Sequence, residues 1–254
     1  MSRLSVITVV RNRAELLEAT ILNVSSQAAT VALDLIVIDG GSTDGTLDVI
    51  KRFSNQLAFW NSEPDNGIYD AMNKGWAAAS DESFILFLGA GDKILSLPDM
   101  SRYRNHDVVY GDVRMGADRI FKPRADYQLK LYNSLHHQAL LVNKAVHPAP
   151  PFNNTYRLYA DFDFNQRLKK QGVHFVFDPQ LEGYACTGGV SDTADFGESL
   201  WVVQKNYGVF WSTLALIGFC AMRALPFLTR LRPIQTVKLI HPDDKYQPKT
   251  ELMN

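Results

Sequence analysis

At 254 residues the chain can form one large α/β domain, or one domain with an appendage, around an ample core. Its formal charge of −1 excludes the basic excess expected of a bulk nucleic-acid binder. Two cysteines, Cys186 and Cys220, lie far apart with no C-x-x-C spacing, which excludes a disulfide framework and a cysteine zinc site and fits a reducing cytosol.

The opening stretch "MSRLSVITVVRN" has too short an apolar run for a signal peptide, and none is expected. Within it, residues 4–10 form a β-branched run typical of a strand buried on both faces. Residues 13–27 then place Leu16, Leu17, Thr20, Ile21 and Val24 at helical spacing. "LDLIVID" is a second buried strand, and "GGSTDGTLDVIKRF" is a turn into a helix for which Ser42, Thr43 and Asp44 offer capping oxygens. "LAFWNSE" predicts a third strand, "GIYDAMNKGWAAA" a helix, and "SFILFLG" a fourth strand. Such alternation argues for a mostly parallel sheet with right-handed crossovers.

After Asp92 the texture changes. "DVVYGDVRM" and "DRIFKPR" predict strands joined by a turn near Gly116, and "HHQALLVNK" another strand. "YADFDFNQRLKKQG" predicts a helix closed by Gly172, after a Pro- and Asn-rich loop at 147–157. Residues 206–222 are uncharged and strongly apolar, followed by Arg223, Arg230, Arg232 and Lys238 among apolar residues. Three readings stay open for that segment: a helix on an anionic membrane surface, a buried helix, or a span at the lower length limit. From His241 the tail is polar.

In open parallel sheets, ligands bind at the carboxyl ends of the strands. Here those ends are Arg11-Asn12, Asp39-Gly40-Gly41-Ser42, Glu63-Pro64-Asp65-Asn66-Gly67 and Gly89-Ala90-Gly91-Asp92. Each cluster taken singly reads as a turn; four on one edge point to a ligand. Asp70 and Lys74 are spaced i, i+4, so they share a helix face and can pair.

The segments "LSVITVVRN", "VIDGGSTDGT", "SEPDNGIYDAMNKG", "LGAGD" and "YADFDFNQRL" resemble, in order and spacing, the inverting family-2 glycosyltransferases of bacterial polysaccharide biosynthesis. The resemblance implies an α/β, GT-A (Rossmann-like) domain over residues 1–192, with a nucleotide-sugar half (1–92) and an acceptor half (93–192). A helical, apolar and basic extension (193–240) and a polar tail (241–254) would follow. It also implies a nucleotide-sugar donor, with UDP the family's usual carrier, and a divalent metal, Mn²⁺ or Mg²⁺. The family's acidic metal motif is reduced here to Ala90-Gly91-Asp92, which leaves Asp92 as the metal ligand or as a strand-end cap. Gly91 lets the backbone approach the donor.

For the donor, the resemblance points to Val9, Arg11, Asp39, Ser42, Asp65, Asp70, Asn73 and Lys74, with Gly40 replacing the second acid of the family's frequent D-D-G-S. It places a His-Gln element, here His137-Gln138, near the diphosphate or the acceptor. Asp161 corresponds to the base that takes the acceptor's proton, while Asp163 lies about 200° round a helix from it. "GGVS", residues 188–191, recurs in relatives near the active site.

The expected acceptor is a saccharide or a polyprenyl-linked oligosaccharide. Peripheral membrane contact through residues 206–232 would put the protein at the cytoplasmic face of the inner membrane. No nucleic-acid partner is expected. A sugar-phosphate nucleotidyltransferase and a catalytically lapsed nucleotide-sugar binder are the alternatives.

Overall fold

A computed structural model describes residues 3–103, 106–116, 119–147, 149–188 and 195–230. Among them nine strands form one sheet. The first half runs β1 (Arg3–Val10), α1 (Ala14–Gln27), β2 (Leu33–Asp39), α2 (Thr46–Arg52), β3 (Phe59–Ser62), α3 (Ile68–Ala78) and β4 (Ser83–Gly89). The second runs β5 (Lys93–Ser96), β6 (Val108–Met115), β7 (Arg119–Phe121), β8 (Leu140–Asn143), α4 (Ala160–Lys170), β9 (Phe175–Ala185), α5 (Phe196–Tyr207) and α6 (Val209–Arg230).

The strand order is β3-β2-β1-β4-β8-β6-β9-β5, with β7 paired to β6. β3, β2, β1 and β4 are mutually parallel, so their carboxyl ends lie along one edge. Beyond β4 the sheet is mixed: β8 is antiparallel to both β4 and β6, while β6 and β9 run parallel.

Alternating side chains of the central strands feed two cores. Ile7, Ile36, Ile38, Ile85 and Phe87 face Met72, Trp76, Phe162, Phe164 and Leu168 of α3 and α4. Leu4, Val6, Leu35, Val37, Leu86 and Leu88 face Leu17, Ile21, Val24, Val49 and Ile50 of α1 and α2. A strand whose neighbours cover both faces needs an unbroken apolar run, which is what β1, β2 and β4 carry.

"HHQALLVNK" proves to be two things. Residues His137–Ala139 form a 3-10 turn, and only Leu140–Asn143 continue as β8. The turn lets His137 and Gln138 leave the sheet register and point at the edge described below.

The described residues divide into two units, with the boundary between Ala215 and Leu216. α5 packs on α4 within the first, and Lys130 Nζ lies 4.7 Å from the Trp211 ring at the start of α6. Of the second unit the structure describes α6 as far as Arg230, with the Arg223 guanidinium 4.9 Å over the Phe219 ring. Among the described residues no helix is long and apolar enough to cross a membrane. Residues 189–191 of "GGVS", Arg232, Lys238 and the polar tail lie outside the described residues.

Candidate active site

The loops after β1 and β2 are sewn together. Asn12, at a positive φ of 52°, donates its N–H to Ser42 Oγ at 2.7 Å and accepts from Thr43 N–H at 2.8 Å. Ser42 in turn donates its hydroxyl to the fully buried Asp39, and Ser62 Oγ donates to the same carboxylate at 2.6 Å. Asp39 thus organises three loops. Asp44 accepts from Thr46 N–H at 2.9 Å and from Ala14 N–H at 3.3 Å, so it caps α2 and reaches the start of α1. Arg11 is exposed at this edge, and Val9 lies in the core beneath it.

The β3–α3 loop brings a second set. Asp65 accepts from Gly67 N–H at 3.0 Å, and its other oxygen lies where a side chain on residue 40 would begin; a Cβ at Gly40 would overlap it. Glycine at position 40 therefore leaves room for the Asp65 carboxylate from another loop. Lys74 Nζ sits 2.9 Å from Glu63 Oε1 and 3.6 Å from Asp70 Oδ2, so its pKa is raised, first by the Glu63 hydrogen bond. Asn73 is turned away from this cluster: its amide bonds Phe152 O–C at 2.8 Å and accepts from Phe152 N–H at 2.9 Å, pinning the loop before α4.

At the end of β4, Gly91 has φ 99°, and a side chain there would press on Cys186 Sγ at 2.9 Å. Asp92 follows with 5% exposure. Its Oδ1 accepts from Cys186 N–H at 2.8 Å; its Oδ2 accepts from Gly89 N–H at 2.8 Å and from Gln138 Nε2 at 3.1 Å. Burial raises its pKa, partly offset by the nearby His137.

His137 Nδ1 faces Asp161 Oδ2 at 3.6 Å. The other Asp161 oxygen accepts from Phe162 N–H at 2.7 Å and lies 3.2 Å from the Tyr69 hydroxyl. Burial opposes charge on Asp161 most strongly, but the hydrogen bond and charge of His137, with Phe162 N–H, outweigh it and hold the pKa below its ordinary value. The same pairing raises His137 against the opposing effect of burial, while burial and the His137 charge push His136 down to about 4. The pair keeps an open edge, 19% of the His137 side chain and 14% of Asp161, by which a small hydroxyl can approach.

Asp163 points elsewhere, as the helical spacing requires: it is buried, bonded to Arg167 Nε at 2.9 Å and Asn206 Nδ2 at 3.0 Å. α4 itself is held from α5. Glu198 Oε1 accepts from the N–H groups of Arg157, Leu158 and Tyr159 at 2.9, 3.0 and 3.1 Å, directly before the helix that carries Asp161.

The structure therefore brings Asp92 and Asp161 to adjacent residues of one turn, Gln138 and His137. Sequence reasoning singled out Gln138 but neither Tyr69 nor Glu198. Gln138 was visible inside the polar "HHQ", whereas the roles of Tyr69 and Glu198 rest on contacts 92 and 41 positions along the chain.

A divalent metal fits this edge as a one-ligand site. Asp92 Oδ1 carries a single hydrogen bond and keeps a lone pair, but among the described residues no three His, Cys, Asp or Glu side chains converge. The remaining ligands would have to come from the diphosphate and water.

A family model described as "Glycosyl transferase family 2" matches residues 5–96, the half that carries Asp39, Asp65 and Asp92. A "PGL/p-HBAD biosynthesis glycosyltransferase" of Mycobacterium bovis is 32% identical over 208 residues, covering 74% of this chain and 79% of the relative. An "Uncharacterized glycosyltransferase" of Mycobacterium tuberculosis is 41% identical over 96 residues, 38% of this chain and 36% of the relative. Among solved structures, S. aureus TarS 1-349 in complex with UDP-GlcNAc aligns at TM-score 0.61 and 16% identity over 81% of this chain and 66% of that one. A Pyrobaculum calidifontis mannosyltransferase in complex with GDP-Man and Mn²⁺ aligns at TM-score 0.55 and 15% identity, over 89% of this chain and 78% of that one.

Proposed function

Because the chain belongs to glycosyl transferase family 2, we propose that it moves a sugar, with inversion, from a nucleoside-diphosphate sugar to an acceptor hydroxyl. The observation that carries this reading is the 137–138 turn, which sets an ionised Asp161 and the Asp92 carboxylate on neighbouring residues.

Asp161 takes the proton of the incoming hydroxyl as that oxygen attacks the anomeric carbon. His137 and Phe162 N–H keep its carboxylate ionised and aimed. The diphosphate leaves from the opposite side of the sugar, and its growing negative charge is met by His137 and Lys74. A divalent cation, when bound, offsets the rest of that charge; Asp92 would hold it. Asp39, Asp65 and Arg11 frame the place where the base and ribose would sit.

The acceptor is proposed to be a saccharide on a polyprenyl or other lipid carrier, met at the cytoplasmic face of a membrane. Exposed Val209, Phe210 and Leu214 at the start of α6 support that placement.

Release of nucleoside diphosphate from a donor panel, with Mn²⁺ or Mg²⁺, tests the reading. Asp161→Asn should cut transfer by roughly 10²- to 10⁴-fold while leaving donor affinity within about twofold. Donor affinity that collapses along with turnover would reassign Asp161 to donor binding.

A further inference from the structure

A cleft of about 460 Å³ lies beside β6 and β9, lined also by the segment after β7. Its volume lies within the usual range for small-molecule sites, roughly 300–1,000 Å³. Tyr110 and Phe177, on paired strands, form its floor, their ring centroids 5.5 Å apart and their planes inclined at 57°. Phe177 is 45% exposed, so its ring face is open to the cleft.

Around that floor stand Asp112, Lys122 and Arg124. Lys122 and Arg124 are 68% and 63% exposed; Lys122 pairs with Asp112 Oδ2, and Arg124 Nη1 lies 3.9 Å from Asp126 Oδ2. Asp112 Oδ1 is buried with no hydrogen-bond partner in the structure. A buried carboxylate oxygen without a donor is uncommon, and each such case calls for an explanation. Asp112 itself lines the cleft.

The combination has a definite chemical complement. A pyranose ring has an apolar C–H face that lies on an aromatic ring, and a rim of hydroxyls that both donate and accept. The floor suits the first, Asp112 accepts from the second, and Lys122 and Arg124 donate to it. The cleft also adjoins the reaction centre through the chain. Lys122 follows Phe121, whose ring meets His136 edge to face at 4.3 Å, next to His137.

We propose that this cleft is a saccharide subsite, in which Phe177 and Tyr110 carry one pyranose ring of the acceptor and Asp112 fixes one of its hydroxyls. The proposal rests on the glycosyltransferase reading for the word acceptor, but not for the binding itself.

Saturation-transfer NMR with methyl β-D-glucopyranoside and methyl α-D-mannopyranoside tests it on the full chain, with calorimetric titration of UDP-GlcNAc and GDP-mannose alongside. Wild type and Phe177→Tyr should transfer saturation to at least one glycoside, and Phe177→Ala, checked for folding by its melting curve, should lose that signal at least about fivefold. No transfer to either glycoside, or equal transfer in Phe177→Ala, overturns the proposal. Nucleotide-sugar binding without glycoside binding overturns the cleft alone. Phe177-dependent glycoside binding without nucleotide-sugar binding upholds the cleft and excludes UDP-GlcNAc and GDP-mannose as the donors of the transferase reading.

Discussion

His137 and Asp161 shift each other's ionisation in opposite directions, and this gives the protein a pH signature. The raised pKa of His137 stabilises the fold fully below its ordinary 6.5, a contribution lost as pH climbs through the raised folded value. The lowered pKa of Asp161 stabilises the fold above its ordinary 3.8, a contribution lost as acid passes through the lowered folded value. The pair is at full strength between those limits. Melting temperature should therefore fall by a few degrees from about pH 6 to about pH 9, and His137→Gln should flatten that slope. Parallel slopes in the two proteins would show that the pair is not ionised in this range. Asp92 and Asp161 were legible in the sequence because short motifs carry them. What each carboxylate touches was not, since Cys186 and Gln138 reach Asp92 from 94 and 46 positions away.

Among the elements, α5 carries a larger share of the site than its sequence advertises. Three successive N–H groups ahead of α4 converge on Glu198 Oε1, and Asp195 Oδ1 in turn accepts from Glu198 N–H at 3.1 Å. Removing that acceptor leaves three donors unpaired and lets the start of α4 drift. Glu198→Ala should destabilise the protein by about 2–4 kcal/mol. It should also slow transfer by roughly 10- to 100-fold with donor KM little changed, through displacement of Asp161. Glu198→Gln keeps one acceptor oxygen and should recover most of the rate; equal damage in both would point to charge rather than position. The first-half elements were legible because β1, β2 and β4 are unbroken apolar runs and the helices between them keep their period. β9 was not: Asp178, Pro179, Gln180 and Glu182 interrupt its alternation, and its pairing with β6 shifts between Tyr110 and Asp112. The 3-10 turn at 137–139 was hidden by the apolar "ALLV" that follows it.

For the whole molecule, the sheet gathers four parallel strand ends along one edge, the proposed donor side, and is mixed beyond β4, the proposed acceptor side. α6 then continues the chain from the first unit into the second. With Leu216, Ile217 and Met222 exposed beside the exposed Arg223, the full chain should float with anionic lipid vesicles, and binding should weaken as salt rises. A chain ending at Ala215 should bind at least about tenfold less, its interfacial anchor being cut short. Equal flotation of the two would place any membrane contact within the first unit.

Gly40 and Asp65 share one volume, and that sharing constrains the order in which their substitutions can be acquired. An acid arriving at position 40 while Asp65 is in place meets an occupied space and a like charge. The same change after Asp65→Gly meets neither. The route between the two arrangements therefore passes through loss of the carboxylate before its reappearance, a sign-epistatic pair that a double-mutant cycle in donor binding would expose.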